Sequence, residues 1–271
     1  MIDRRDFLTS AFAASLAVVA AACSGSSSKE RAATTRPRSP STVPPTTATT
    51  TTPAPTTTTT DPGTPARFVE RGTAASPPRV ALTFHTGLGD PGLVLDLLHA
   101  GTAAAVPMNL MVIGQWLESN PTVATELVQG DHEIGNHTYS HRALLQLSPA
   151  QALIEIQRCA DVLQRLVGTK GLWLRPSGTE TSQTSAVVNA AAGQAGYPVV
   201  LGFDVDPTDN ADPGAAAVQQ RVLATMQPGS IVSLHSGHRG TIDALAPLAA
   251  SIRARGYELV KVSDIVNPAR P

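Results

Sequence analysis

From Arg79 onward, short apolar runs alternate with longer amphipathic runs, and this alternation restricts the possible folds more than any other feature of the sequence. The short runs have the length and the Val, Ile and Leu content of buried strands, whereas the longer runs carry apolar residues at helical spacing. About seven such pairs in succession predict a parallel sheet, either doubly wound or closed into a barrel.

The element boundaries follow from the same periodicity. Strands are predicted at 80–84, 109–113, 133–135, 172–174, 199–203, 231–234 and 259–262. Helices are predicted at 91–100, 121–129, 182–195, 213–226 and 241–255, with one more long helix that begins at Ser148. This last helix has the clearest start signal, because Ser148 suits the N-cap, Pro149 the first turn and Gln151 a capping box.

Most of the chemically reactive side chains fall just after predicted strands. They are His85, His137, His141, Arg175, Asp204, Asp206 and His235. In a parallel barrel the carboxyl ends of all strands open on one rim, which is where such folds place their chemistry. This placement favours the barrel over the doubly wound sheet.

Two of these histidines, His137 and His141, are separated by three residues, and a pair of neutral imidazoles at this spacing can hold a divalent metal. The alternative is that one histidine is a hydrogen-bonded loop residue and the other a surface residue. The chain has only two cysteines, Cys23 and Cys159. These form neither a disulfide framework nor a cysteine zinc site, so any metal must use His, Asp or Glu.

Charge and length narrow the classes of function further. The formal net charge is −1 with a pI of about 6.6, and no basic run is interleaved with aromatic residues, so a nucleic-acid partner is not indicated. The low-complexity first quarter of the chain cannot contribute to a core, which leaves roughly 200 residues for one domain.

The N-terminal segment, residues 1–23, has the features of an export signal. Arg4 and Arg5 give it a basic start, as in a twin-arginine signal, and 11–22 is apolar but too short to span a bilayer comfortably. The sequence 19–23 resembles a bacterial lipobox, so lipidation of Cys23 and attachment to the outer face of the cytoplasmic membrane are expected. Secretion with ordinary cleavage after a small residue is the alternative.

Residues 24–66 consist mainly of Ser, Thr and Pro. Such a segment buries too little apolar surface to offset its conformational entropy, and it is expected to be a disordered, semi-extended linker. At about 3 Å per residue it reaches on the order of 100 Å, the scale of a cell envelope. The folded domain is therefore expected at 67–271.

From about Arg79 to Val266 the chain resembles the polysaccharide deacetylase family, the group homologous to nodulation-factor deacetylase. The family's His-Ser/Thr-x-x-His motif is matched in full at 137–141, and its Arg-Pro motif is matched at 175–178. Its aspartate motif is matched loosely at 206–210, where Asn210 replaces the usual tryptophan, and its Leu-His motif is matched at 234–235.

The resemblance implies a distorted (β/α) barrel of about seven strands that removes N- or O-acetyl groups from an acetylated glycan such as peptidoglycan or a chitin-like polymer. It also implies a divalent metal such as zinc. By the same resemblance, the metal ligands are His137 and His141, and the general acid is His235. Further catalytic residues are Arg175, Asp206 and Asp209, and Pro176 and Leu234 contact the substrate.

The first motif departs from the family pattern. The family has Thr-Phe-Asp-Asp-Gly, with the first aspartate as base and the second as metal ligand, whereas this chain has His85 and Thr86 at these two positions. One hypothesis is a working hydrolase in which His85 is the third metal ligand or the base. The other is a tethered glycan-binding protein that has lost hydrolysis.

Overall fold

The computed structural model describes residues 63–179 and 181–269. The export signal, the lipidation site at Cys23 and nearly all of the predicted linker therefore lie outside the described residues. Within the described part of the chain, no helix combines the length and the apolar character needed to cross a bilayer.

Strands and helices alternate along the described chain as the sequence pattern predicted. The strands are β1 (Arg67–Val69), β2 (Arg79–Thr86), β3 (Asn109–Val112), β4 (Glu133–Asn136), β5 (Trp173–Leu174), β6 (Val199–Leu201), β7 (Ile231–His235) and β8 (Glu258–Leu259). The α-helices are α1 (Pro91–Ala103), α2 (Gly114–Ser119), α3 (Pro121–Gln129), α4 (Pro149–Val167), α5 (Ala186–Gln194), α6 (Ala215–Thr225) and α7 (Arg239–Ala254). Short 3-10 helices lie at Leu144–Gln146, Asp209–Ala211 and Val262–Asp264.

The strands form one parallel sheet in the order β1-β6-β5-β4-β3-β2-β7, with β8 paired to β2. Each pair of neighbouring strands along this order runs parallel. Val205, just beyond β6, forms an isolated parallel bridge with Val232 of β7, so the two sides of the curled sheet meet. The prediction of an α/β barrel-like parallel sheet is confirmed, with β1 as a strand that the sequence pattern did not reveal.

The alternation of side chains along β2 separates the core from the rim. Val80, Leu82 and Phe84 are buried in the cluster shared with the surrounding helices. Successive side chains of a strand point to opposite faces, so Thr83 and His85 lie on the inner face. The inner face is thus apolar near the beginning of the strand and polar at its carboxyl end.

Two predicted boundaries differ from the structure for identifiable reasons, and one helix was not predicted. The helix expected from residue 182 begins at Ala186, because Ser185 is the N-cap and the Ser182 hydroxyl instead accepts the N–H of Phe203. The strand expected at 259–262 ends at Leu259. Beyond it, the N–H of Val262 is bound by the side chain of Asn109 rather than by a neighbouring strand. Helix α2 was not predicted. The capping box of α4 is present as predicted.

Candidate active site

The carboxyl ends of β2, β4 and β7 bring three histidines together on one rim. His85 of β2 is the direct register partner of His235 of β7. His137 follows β4 immediately, and its N–H donates to the carbonyl of Val112 at the end of β3. These positions are therefore set by backbone pairing between neighbouring strands and not by the histidine side chains.

The turn that carries His137 and His141 has an unusual backbone conformation. Thr138 and His141 both have left-handed φ angles, of 66° and 57°. The buried Asn136 side chain stabilises the turn: its Oδ1 accepts the N–H of Thr138, and its Nδ2 donates to the carbonyl of Ile156 in α4. Glu155 of the same helix binds the backbone and side chain of Ser140. The spacing of the two histidines is thus fixed by helix α4.

The histidine rings contact one another in a continuous cluster. His85 Nδ1 lies 2.9 Å from His137 Nε2, with the ring centroids 4.5 Å apart. The rings of His137 and His141 meet edge to face with centroids 4.9 Å apart, and those of His85 and His235 stack at 4.6 Å. The structure therefore assembles the four histidines that the sequence placed on strand exits.

Burial favours the neutral form of three of these rings. Desolvation lowers the pKa of His85 and His137 well below the ordinary value, and it also lowers the pKa of His141. His137 Nδ1 lies 3.0 Å from the carbonyl oxygen of Arg175 and must donate to it, which leaves the lone pair of Nε2 directed at His85. On the far side of His85, Nε2 lies 3.0 Å from the hydroxyl of Ser233.

Two rings of this cluster, His85 and His137, have the outer contacts of metal-binding histidines. His85 Nδ1 and His137 Nε2 face each other, and the other nitrogen of each ring contacts an oxygen. This oxygen is the Arg175 carbonyl for His137 and the Ser233 hydroxyl for His85. Metal-binding histidines have this pattern of outer contacts. Two nitrogens converge in this way, but in 63–179 and 181–269 no three His, Cys, Asp or Glu side chains are arranged around one point.

Thr86, at the second position of the altered motif, takes no part in the cluster. Its side chain is fully buried, and its hydroxyl donates to the carbonyl of Phe84. The hydroxyl of Thr86 therefore binds within its own strand, and the side chain contributes no charge to the rim.

His235 forms a hydrogen-bonded pair with Asp209, a carboxylate whose side chain is fully buried. Asp209 Oδ1 lies 2.8 Å from His235 Nδ1, and Oδ2 accepts the backbone N–H of His235 and the hydroxyl of Thr241. This arrangement fixes the ring and leaves its Nε2 as the reactive nitrogen. The contribution of Thr241 was missed, because no local pattern links a threonine in α7 to Asp209.

Arg175 lies fully buried behind the histidines, where its guanidinium binds neutral acceptors. It donates to the Thr83 hydroxyl and to the carbonyls of Leu201 and Gly202, and Nη1 lies 3.5 Å from His85 Nε2. Burial lowers its pKa to about 9. A cation at this point favours neutral His85, since a second positive charge beside it would be repelled.

Three predicted site residues are not brought to the cluster. Asp206 is exposed and accepts the N–H of Thr208 in its own turn. Leu234 is 1% exposed and packs in the helix-facing core, on the opposite face of β7 from His235, because strand side chains alternate. Pro176 is also buried. In this structure Leu234 and Pro176 therefore present no surface to a substrate.

Sequence and structure comparisons agree with this geometry. The sequence profile described as polysaccharide deacetylase matches residues 72–200. The chain is 30% identical over 203 residues to the chitooligosaccharide deacetylase of Bradyrhizobium sp. (strain ANU 289), covering 66% of this chain and 87% of that protein. It is 31% identical over 194 residues to a peptidoglycan-N-acetylglucosamine deacetylase of Bacillus cereus, covering 69% of this chain and 87% of that one.

Among solved structures, a protein of Bacillus anthracis described as a CE4 family pseudoenzyme shares the fold. Its TM-score is 0.67 at 22% sequence identity, over 76% of this chain and 70% of that one. With two relatives at 30% identity or more matched over most of their length, and a rim that carries the family's histidine and Arg-Pro motifs, the chain belongs to the polysaccharide deacetylase family.

Proposed function

We propose that this protein removes acetyl groups from an acetylated polysaccharide of the cell envelope, such as peptidoglycan or a chitin-like glycan. The observation that carries the proposal is the His235–Asp209 pair, which is held by three hydrogen bonds beside the histidine cluster. A fully buried carboxylate is costly to maintain, and here its hydrogen bonds hold one imidazole at the rim. The names of the two relatives support an acetylated amino sugar as the substrate.

In the proposed reaction His235 acts as the general acid. Asp209 accepts a hydrogen bond from Nδ1–H and so stabilises the imidazolium, whose Nε2 can deliver its proton to the departing amine or alkoxide. His85 has contacts at both ring nitrogens, to His137 and to Ser233. This engagement favours a role for His85 within the cluster over a role as free base.

A divalent metal, with zinc as the first candidate, would be held by His137 and His85, with His141 as the third donor. The support is the outer oxygen contact on His137 and on His85, together with the lowered pKa of all three rings, which favours the neutral, metal-binding form. When bound, such a metal polarises the acetyl carbonyl and lowers the pKa of a coordinated water. In the metal-free arrangement the proton of His85 lies on Nδ1, and Nε2 accepts from Ser233. With a metal on Nδ1, the proton of His85 would instead lie on Nε2 and donate a hydrogen bond to the Ser233 hydroxyl.

A second candidate function is glycan binding without hydrolysis. It is favoured by the absence of both carboxylates of the first motif, since His85 has no negative charge to offset a dication and Thr86 is directed into its own strand. In this case the rim would still hold the sugar, and only acetate release would be missing.

One set of measurements on the full chain separates the two. Zinc titration by calorimetry is run on the metal-stripped protein and on the His137→Ala, His141→Ala double variant, and acetate release from N-acetylated chito-oligosaccharides and from peptidoglycan is followed for the parent and His235→Ala. The proposal expects zinc binding that the double variant loses and acetate release that His235→Ala loses. Oligosaccharide binding without acetate release, in the presence of zinc, would support the second candidate.

We also propose that the protein is exported and anchored at the outer face of the cytoplasmic membrane through a lipid on Cys23. The basic start, the short apolar segment and the lipobox-like sequence before Cys23 support this location. Metabolic labelling with a palmitate analogue tests it. Label on the parent and none on Cys23→Ser is expected, and an unlabelled parent would indicate ordinary secretion.

A further inference from the structure

A second histidine–carboxylate pair lies next to the first. Asp212 follows Asp209 by three residues, and His238 follows His235 by three residues. The Nδ1–Oδ1 distance is 2.8 Å in both pairs. The rings of His235 and His238 lie with centroids 6.2 Å apart. The same two loops therefore supply both pairs to one side of the rim.

The stability of the fold does not account for the second pair. Asp212 and Thr208 flank the short 3-10 helix with left-handed φ angles of 49° and 50°, a backbone conformation that is unfavourable for non-glycine residues. The side chain of Asp212 is 70% exposed and that of His238 is 25% exposed. A hydrogen bond with this exposure contributes little to the free energy of folding. The turn thus adopts a strained conformation while the Asp212 side chain, with its contact to His238, lies largely in water.

The geometry leaves one acceptor available for a ligand. Asp212 Oδ1 accepts a hydrogen bond from His238 Nδ1, and with the ring proton on Nδ1 the lone pair lies on Nε2, which has no partner among the described residues. Leu88, 51% exposed, lies beside this loop, since its carbonyl oxygen would be 2.5 Å from a Cβ added to Gly237. An apolar side chain next to a fixed polar acceptor suits a sugar ring, which presents C–H faces and hydroxyl groups.

We propose that His238, oriented by Asp212, accepts a hydrogen bond from a hydroxyl of the sugar and so positions the acetylated unit against His235. The inference rests on the proposed function and adds a substrate-positioning residue to it. His238 takes no part in the proton transfers. Its loss should therefore weaken the hold on the glycan and leave the chemical step almost unchanged.

The test measures binding and turnover separately on the full chain. Binding of penta-N-acetylchitopentaose is measured by calorimetry, and acetate release is measured on this oligosaccharide and on 4-nitrophenyl acetate, which has no sugar. For His238→Ala, Kd and KM for the oligosaccharide should rise about five- to tenfold, the effect of one lost hydrogen bond. The kcat value should stay within twofold, and turnover of the sugar-free ester should not change.

Matched variants separate a sugar contact from a structural effect. His238→Gln keeps a hydrogen-bonding group and should recover most of the affinity. Arg239→Ala, which breaks the adjacent exposed ion pair with Asp96, should behave like the parent. Unchanged Kd in His238→Ala, or equal losses on the sugar and on the sugar-free ester, would overturn the inference, as would a parent that binds no oligosaccharide. If the parent binds but releases no acetate, hydrolysis fails as the function while weaker binding by His238→Ala still supports the positioning role.

Discussion

Replacing Asp209 by asparagine tests the chemical core of the site with little change in shape. The carboxylate accepts three hydrogen bonds: Oδ2 takes those of the His235 N–H and the Thr241 hydroxyl, and Oδ1 takes that of His235 Nδ1. The asparagine oxygen can keep the first two, but its NH₂ group then faces Nδ1. That nitrogen must become an acceptor, so the ring is held as the neutral Nε2–H tautomer without a carboxylate to stabilise its charged form.

The expected magnitudes follow from these contacts. Exchange of three charge-assisted hydrogen bonds for neutral ones, offset in part by the removal of a buried charge, should lower the free energy of unfolding by about 1–2 kcal/mol. Loss of the general acid should lower kcat for acetate release by roughly 10²- to 10⁴-fold. Asp209→Ala should be the less stable variant, because the His235 N–H and the Thr241 hydroxyl, which asparagine would still satisfy, also lose their acceptor at about 1–3 kcal/mol each.

Acetate release from an N-acetylated chito-oligosaccharide gives the rate, and urea unfolding gives the stability. Asp243→Asn, which changes an exposed carboxylate on α7, the helix that carries Thr241, is the matched control and should equal the parent in both. An Asp209→Asn variant that is folded and turns over within twofold of the parent would refute the role of this pair in catalysis.

Three further outcomes are expected. Burial raises the pKa of Glu133 above its ordinary value of 4.5, so its contribution to stability is full below pH 4.5 and is lost as the pH rises through the raised pKa of the folded state. The difference in free energy of unfolding between Glu133→Gln and the parent, measured in urea, should therefore favour the variant more at pH 7.5 than at pH 4. Equal differences at the two pH values would contradict this. Gly178→Ala should lower the free energy of unfolding by about 2–4 kcal/mol in the same assay, because φ is 65° and the added Cβ would lie 2.5 Å from Ala143 Cα. Gly168→Ala, whose φ is 77° but whose added Cβ would meet no atom within 4 Å, should lower it by only about 1 kcal/mol. Burial raises the pKa of Cys159 to about 12, so this thiol should not react with iodoacetamide at pH 8 in the native protein but should be alkylated in urea. Mass spectrometry of the Cys159 peptide measures both, and alkylation in the native protein would show that the thiol is accessible.

The sequence pattern was sufficient for the strand exits because each depends on local periodicity. A buried strand ending in His85 or His137 can be recognised from its own residues, and the parallel arrangement then brings these ends to one rim. Strand β1 could not be recognised in this way, since it is three residues long and depends on pairing with β6, more than 100 residues away. Helix α2 was missed for a similar reason, as its six residues hold less than two turns of periodicity.

Within the site, the residue types were predictable but their partners were not. Spacing alone cannot show that Ser233 lies against His85, or that Thr241 and His235 share one carboxylate oxygen. Nor can it separate Asp209 from Asp206, two aspartates three residues apart of which one is buried on His235 and the other is exposed. These differences arise from tertiary packing.

The way β2 holds residue 85 has a consequence for how the family can diversify. The backbone of His85 is paired with Met111 on one side and His235 on the other, and its carbonyl accepts the N–H of Ser236. The position of the side chain is therefore fixed by its neighbours' main chains, whatever residue it carries. A single substitution at position 85 can therefore replace the reactive group while the backbone around it keeps its conformation. Position 85 is for this reason the first choice for engineering new reactivity into this barrel.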